Sequence, residues 1–378
     1  MSAESISTAT AADVPSSPST SPELVIIDYD QLLQPFDATM DALIEKAYGF
    51  DGLGVLAIRG VPQYPDLRAN LLPLGYTFGN LPEDIKQKYV HEESTYSFGW
   101  SHGKERLEGK PDVAKGSYYA NPLYNEPTTD KALIEKYPAS LHPNIWPTED
   151  LPPLEDAFMA LGRRICDVGA VLTKHCDAYV QQRNPQFPQH HLSTILSQSK
   201  CPKARLLYYF AFKDGEQTEE TLSSWCGAHL DSGSLTGLTS ALFFDEDGNQ
   251  IPCPDPAAGL YIKSRNGESV QVKIPADCIA YQIGECMQIH SGGLLLATPH
   301  SVRAASTPGV SRATFACFMQ PNIDHPMALP PGGELDNVLK GAKGEFLPPG
   351  VPPLLARWET DGSQNYGDFS TKTFSMYY

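Results

Sequence analysis

The stretch "WCGAHLDSGSLTGL" sets His229 and Asp231 one residue apart in a segment that reads as a strand running into a turn. In extended chain, residues two apart share a face, so an imidazole nitrogen and a carboxylate oxygen are offered toward one point. Two readings are open, a metal site or an ordinary polar pair at a strand end. His300, in "LLLATPHSVRAAS", lies 69 residues past Asp231 and supplies a third donor of the right kind. Two histidines and one carboxylate on one face of an octahedron leave three positions open, which suits non-haem Fe(II) and O2. Zinc more often takes a tetrahedral shell of nitrogen and sulfur. Downstream, "GVSRATF" sets Arg312 and Thr314 two apart on a strand. A guanidinium beside a hydroxyl is suited to hold a carboxylate through charge-assisted hydrogen bonds. Arg303 is a rival for that role, and strand alternation prefers Arg312.

These residues need a β-rich frame. From Ala204 onward the runs "ARLLYYFAF", "LTSALFF", "GLYIKS", "VQVKIP", "CIAYQIG" and "RATFACFMQ" alternate with Gly, Pro and Asp. That pattern predicts an antiparallel sandwich or barrel, not a parallel sheet with crossover helices. Upstream, "LVIIDYDQLL" reads as a short strand and a turn, and apolar spacing predicts a helix over 37–48. "GFDGLGVLAIRGVP" is a Gly-bounded strand, and 66–90 is helical with a break at "GNLPED", where Asn80 is the expected cap. Residues 93–150 read as loops and short strands, including "KGSYYANP", and a long helix is expected over 154–180.

The chain has 378 residues, of which 41% are hydrophobic, enough for a sizeable core. A net charge of −17 opposes binding to a nucleic-acid backbone or an anionic membrane, yet allows a locally basic pocket. Eight cysteines stand singly with no CxxC, which predicts free thiols in a reducing compartment. No apolar run is long enough for a transmembrane helix. Residues 1–22 are rich in Ser, Thr and Ala but contain no Lys or Arg, so a disordered tail and a cytoplasmic location are expected in preference to a plastid. No GxGxxG, P-loop, GxSxG or internal repeat is present.

The ordered set "HLD" (229–231), His300 and "RAT" (312–314) resembles the Fe(II)- and 2-oxoglutarate-dependent dioxygenase superfamily, in its isopenicillin N synthase-like branch. The flanking strings "LVIIDYDQLL", "GFDGLGVLAIRGVP", "GSYYANP" and "QIGECMQIHSGGLLLATPHSV" extend the resemblance over roughly residues 24–325, the last resembling the family's strand, turn and strand that lead to the distal histidine. Three departures stand out. Thr314 replaces the usual Ser and keeps the hydroxyl; the interval from His300 to Arg312 is longer than usual; and "LYYF" (207–210) stands where many plant members carry Asn-Tyr-Tyr-Pro.

The resemblance implies an oxidoreductase with a double-stranded β-helix (jelly roll, cupin-like) core and a helical N-terminal region packed on it. Its expected parts are a tail over 1–22, an N-terminal mixed region over 23–195, the catalytic jelly roll over 196–330, and a C-terminal extension over 331–378. It implies Fe(II) on His229, Asp231 and His300, with O2 as oxidant. It also implies 2-oxoglutarate on Arg312, Thr314 and Tyr209, with Tyr208 as the alternative register. The default outcome is hydroxylation of a small-molecule metabolite with release of succinate and CO2, by a monomer or weak dimer.

Tyr96, Ser97, His102, Ser117, Tyr119 and Arg205 are candidates for the substrate mouth, with Lys203 as a further source of positive charge. His290 reads as structural, and His190 and His191 as solvent-facing. Two rivals remain. An isopenicillin N synthase-type oxidase would use O2 without 2-oxoglutarate, its Arg and hydroxyl holding the substrate's own carboxylate. A ligand-binding or sensor protein would keep the fold without turnover.

Overall fold

The computed structural model describes residues 23–104, 106–107, 110–213, 215, 225–340, 342 and 347–377. The tail expected over 1–22 lies outside the described residues. Two strands open the fold, β1 (Val25–Asp28) and β2 (Val55–Arg59), paired in parallel. Then come β3 (Gly99–His102), a two-residue pair β4 (Arg106–Leu107) and β5 (Lys110–Pro111), and β6 (Lys115–Ala120). The later strands are β7 (Lys203–Tyr209), β8 (Cys226–His229), β9 (Leu235–Thr239), β10 (Leu242–Phe244) and β11 (Gln250–Ile251). They continue as β12 (Gly259–Lys263), β13 (Ser269–Val272), β14 (Cys278–Ile283), β15 (His300–Arg303) and β16 (Ser311–Met319).

The larger sheet runs β1-β2-β14-β9-β16-β7-β6-β3, with β10 beside the first half of β16 and β11 beyond it; the smaller runs β13-β12-β15-β8. This two-sheet antiparallel core is the expected jelly roll, with one addition. The N-terminal region contributes β1, β2, β3 and β6 to the larger sheet as well as helices that cover it.

Alternation on β16 explains how the larger sheet sits. Ala313, Phe315, Cys317 and Met319 point one way, toward the helix Pro153–Arg183, while Arg312, Thr314, Ala316 and Phe318 point into the jelly roll. That helix has 31 residues, roughly 46 Å at 1.5 Å per residue, and starts at a proline that needs no N–H partner there. Phe158 meets Phe315 edge-on at 4.9 Å, Cys166 Sγ lies 3.4 Å from Cys317 Sγ, and the Tyr281 hydroxyl donates to the Ile165 carbonyl at 2.7 Å. Gly237 on β9 makes this approach possible, because a Cβ there would overlap Ile165. All eight cysteines are unbridged, and among the described residues no helix is long and apolar enough to cross a membrane.

Several local expectations change. Asn80 is not the cap of the second helical stretch. It ends the helix Tyr64–Gly79, its side chain donating back to the Tyr76 carbonyl, and Pro82 precedes the short helix Glu83–Gln87. "LTSALFF" is two strands, parted at Ser240 and Ala241, whose carbonyls both accept from Arg68. The turn expected between β14 and His300 contains the helix Glu285–His290, and short helices Lys131–Lys136 and Pro138–Leu141 interrupt the loops of 93–150. His191 is half-buried rather than solvent-facing, its ring near those of His290 and His325. The C-terminal residues form a helix, Tyr366–Tyr377.

Candidate active site

His229 and His300 face each other across an antiparallel ladder, at the end of β8 and the start of β15, with ring centroids 4.2 Å apart. The pairing slips by one residue between this pair and Cys226–Val302, a bulge of the kind that re-aims a strand's side chains. Asp231 lies just past β8, where its carbonyl accepts from Glu285 N at 2.8 Å. Its Oδ1 is 3.7 Å from His229 Nε2 and 3.8 Å from His300 Nε2, and one donor atom from each of the three residues falls within 4.8 Å of the others.

The outer nitrogens of both rings are occupied. His229 Nδ1 donates to the Gly227 carbonyl at 2.9 Å, which leaves the Nε2 lone pair facing Asp231. Gln282, fully buried on β14, sets its amide 2.5 Å from His300 Nδ1, with Nε2 as the nearer atom and Oε1 unpartnered among the described residues; the amide's two ends are interchangeable by a flip. With the amide oxygen toward the ring, Nδ1–H donates to it and His300 Nε2 is likewise free to bind a cation. Burial lowers both histidines. At His229 the opposing pull of Cys226, Asp231 and the Gly227 carbonyl wins and raises it to about 9. At His300 burial and the neighbouring His229 outweigh Asp231 and hold it at about 4.

Asp231 is 7% exposed, and its Oδ2 has no hydrogen-bond partner among the described residues. An orphaned buried carboxylate oxygen flanked by two imidazole lone pairs is unfavourable alone and fits a divalent cation. Two nitrogens and one hard oxygen on one side are a donor set that fits Fe(II).

Arg312 is the second unsatisfied group. It is 7% exposed, and its Nε and Nη1 lack hydrogen-bond partners among the described residues. Its guanidinium lies over the rings of Tyr209 and Trp225, at 4.8 and 5.9 Å. Tyr209 is its cross-strand partner on β7 and shares its inward face. Tyr208 points the other way, onto Tyr76 and Asn80. The Thr314 hydroxyl donates to the Thr239 carbonyl at 3.1 Å. Arg303 stands on β15, where it pairs across to Gly259.

A cavity of about 240 Å³ is lined by two of the triad, His229 and Asp231; His300, Arg312, Thr314 and Tyr209 stand outside its lining. Of the mouth candidates, Ser97, Tyr119 and Arg205 line it, together with Lys203. Ser117 stands behind, accepting from Arg205 Nε at 2.8 Å. Tyr96 and His102 are outside the lining; Tyr96 lies under Lys104, and His102 Nε2 lies 3.0 Å from the Val113 carbonyl. His290 is buried, with Nε2 3.1 Å from the Pro326 carbonyl.

Sequence reasoning missed Gln282 and the contribution of the C-terminal helix, which brings Ser370, Thr373 and Phe374 to the cavity. Gln282 had a signal, a lone amide in the otherwise apolar "CIAYQIG". The helix residues had none, since only the tertiary fold carries them to the pocket.

No family model and no curated protein matches the chain. Solved structures do resemble it. A candidate 2OG-Fe(II) oxygenase family protein from Caulobacter crescentus superposes with a TM-score of 0.65 at 17% identity, over 94% of this chain and 99% of that one. A full-length Neurospora crassa protein, in complex with alpha-KG, gives 0.63 at 20% identity, over 93% and 95%. JOX2 in complex with 2OG, Fe and JA gives 0.56 at 18% identity, over 93% and 89%. At these identities the common property is the fold, which extends over nearly the whole of each chain.

Proposed function

We propose that the protein is an Fe(II)- and 2-oxoglutarate-dependent oxygenase that oxidises, by default hydroxylates, a small molecule. The observation that carries this reading is the convergence of His229, Asp231 and His300 within 4.8 Å around an orphaned carboxylate oxygen. The buried Arg312 on the inner face of β16, with two nitrogens unpartnered among the described residues, supports the cosubstrate. The complexes of the Neurospora crassa protein with alpha-KG and of JOX2 with 2OG and Fe support both partners on this fold. The jelly roll over 196–330 would carry the chemistry, with 23–195 and 331–378 completing the sheet and pocket.

Iron bound there would supply the reduction of O2 coupled to decarboxylation of 2-oxoglutarate to succinate and CO2. The chain's own work is positional. His300 is held neutral by burial, whereas His229 would release its proton as the cation binds, so that both present Nε2; Asp231 supplies the negative charge, and Gly227 and Gln282 fix the ring orientations. Arg312 takes the distal carboxylate of 2-oxoglutarate, with Thr314 and Tyr209 beside it. Ser370, Thr373 and Phe374 help enclose the cavity and restrict water.

The test is an anaerobic titration of the metal-free protein with Fe(II) and then 2-oxoglutarate, followed by visible absorption. A weak charge-transfer band that requires both additions is expected. Arg312→Met should raise the 2-oxoglutarate concentration needed by about 10–100-fold, the loss of a charge-assisted hydrogen bond to a buried group. If iron binds and no band appears, the reading fails and Arg312 is left to hold a carboxylate of the substrate itself.

A further inference from the structure

The inner face of β7 carries Lys203, Arg205, Leu207 and Tyr209 at alternate positions. Tyr209 pairs with Arg312, whereas Lys203 pairs with Phe318, six residues along β16. At about 3.3 Å per residue the backbone positions that carry the two cations are roughly 20 Å apart along the sheet. That span is far longer than a five-carbon diacid. One molecule of 2-oxoglutarate held by the metal and Arg312 therefore leaves Lys203 for something else.

Lys203 is 8% exposed and lines the same cavity as His229 and Asp231. Its Nζ donates to the Ser97 and Ala139 carbonyls at 2.8 and 2.6 Å and lies 3.5 Å from the centre of the Phe98 ring. Two of its three protons are thereby taken, and among the described residues no carboxylate is paired with it. Burial pushes the ammonium well below its ordinary range. An ammonium that served only to tie two loops together would gain nothing from facing a cavity, and an anion there would offset its desolvation.

The other charges described around the cavity are accounted for. Lys115 and Asp112 pair with each other, and Asp231 belongs to the triad. Arg205 adds a second guanidinium, stacked 4.9 Å from the Tyr119 ring. Leu230 and Phe318 supply apolar lining.

We infer that the substrate is a small carboxylic acid whose carboxylate docks between Lys203 and Arg205, with its apolar body against Leu230 and Phe318. A monoanionic carboxylate suits the site better than a phosphate ester. Lys203 has one proton left to donate, a match for a single carboxylate oxygen. This deepens the oxygenase reading and rests on it for the assignment of the metal and Arg312 to the cosubstrate.

The test uses the full chain loaded with Mn(II), which binds without turnover, and saturated with 2-oxoglutarate. Calorimetry then compares benzoate and 3-phenylpropanoate with benzamide and 3-phenylpropanamide. At least a tenfold preference for one acid over its amide is expected, lost in Lys203→Met and reduced in Arg205→Met. The 2-oxoglutarate affinity of each variant reports whether it has folded. No acid preference anywhere in the panel, or a preference that survives in folded Lys203→Met, overturns the proposal. Failure of 2-oxoglutarate itself to bind overturns the oxygenase reading instead. In that event the same titration without 2-oxoglutarate, in Arg312→Met, still reads the Lys203 site.

Discussion

Gln282 makes no contact with a reactant, yet the orientation of His300 depends on it. Loss of such an outer partner typically costs a metal site about 10–100-fold in affinity. Gln282→Leu should therefore raise the Mn(II) dissociation constant by that range, read by the loss of the free-ion paramagnetic resonance signal. Asp231→Ala should abolish binding in the same assay; retention of the metal would remove the triad from consideration. The pairs His229–Asp231 and Arg312–Thr314 were readable in the chain because strand alternation brings residues two apart onto one face, whereas His300, 69 residues on, joined them through the ordered set of motifs. Gln282 was not assigned a place, and Lys203 was placed at the mouth without its partners, because those partners lie on strands or loops far away in the chain. Their roles arise from β14 standing beside the jelly roll's inner space and from the Ser97 and Ala139 carbonyls converging on β7.

At the level of elements, the C-terminal helix is tied to the turn that carries Asp231 through one buried arginine. Arg357 is fully buried and donates twice to Glu285, at 2.7 and 2.5 Å, and once to Thr373 Oγ1 at 3.2 Å. Glu285 N in turn holds the Asp231 carbonyl. Removing one partner of a buried ion pair leaves an uncompensated charge and costs about 3–5 kcal/mol. Urea denaturation of Arg357→Met should show that loss, and adding Glu285→Gln should recover part of it; equal stability of the single variant and the parent would contradict the linkage. Gly237→Val tests the other main junction, since its side chain must displace Ile165, for a loss of about 1–3 kcal/mol in the same assay. The long helix and the strands were legible because their apolar periods persist over many residues. The six-residue helix Glu285–His290 was not, being too short to display a period. The break at Ser240 was hidden for another reason, because it is made by Arg68 from a distant helix.

For the molecule as a whole, acid should be destabilising through the cluster of His191, His290 and His325. Burial, then the nearby His325, holds His290 down at about 3, and burial lowers His191 and His325 as well. The unfolded chain takes up protons near pH 6.5 and the folded one resists them, so this contribution is present above pH 6.5 and is lost as pH falls toward 3. Each excess proton bound by the unfolded state costs about 1.4 kcal/mol per pH unit. Denaturation midpoints of His290→Gln should fall less steeply than those of the parent across that window, and parallel slopes would sink the account. The sheet topology also bears on how the chain can be divided. β7 is flanked by β6 and β14 by β2, so strands from the first third of the chain seal both of these ladders. A fragment of 196–330 made alone would expose two open ladders ready to recruit strands from other copies. Such a fragment should be insoluble, and co-expression with 23–195 should bring it back into solution as a noncovalent complex.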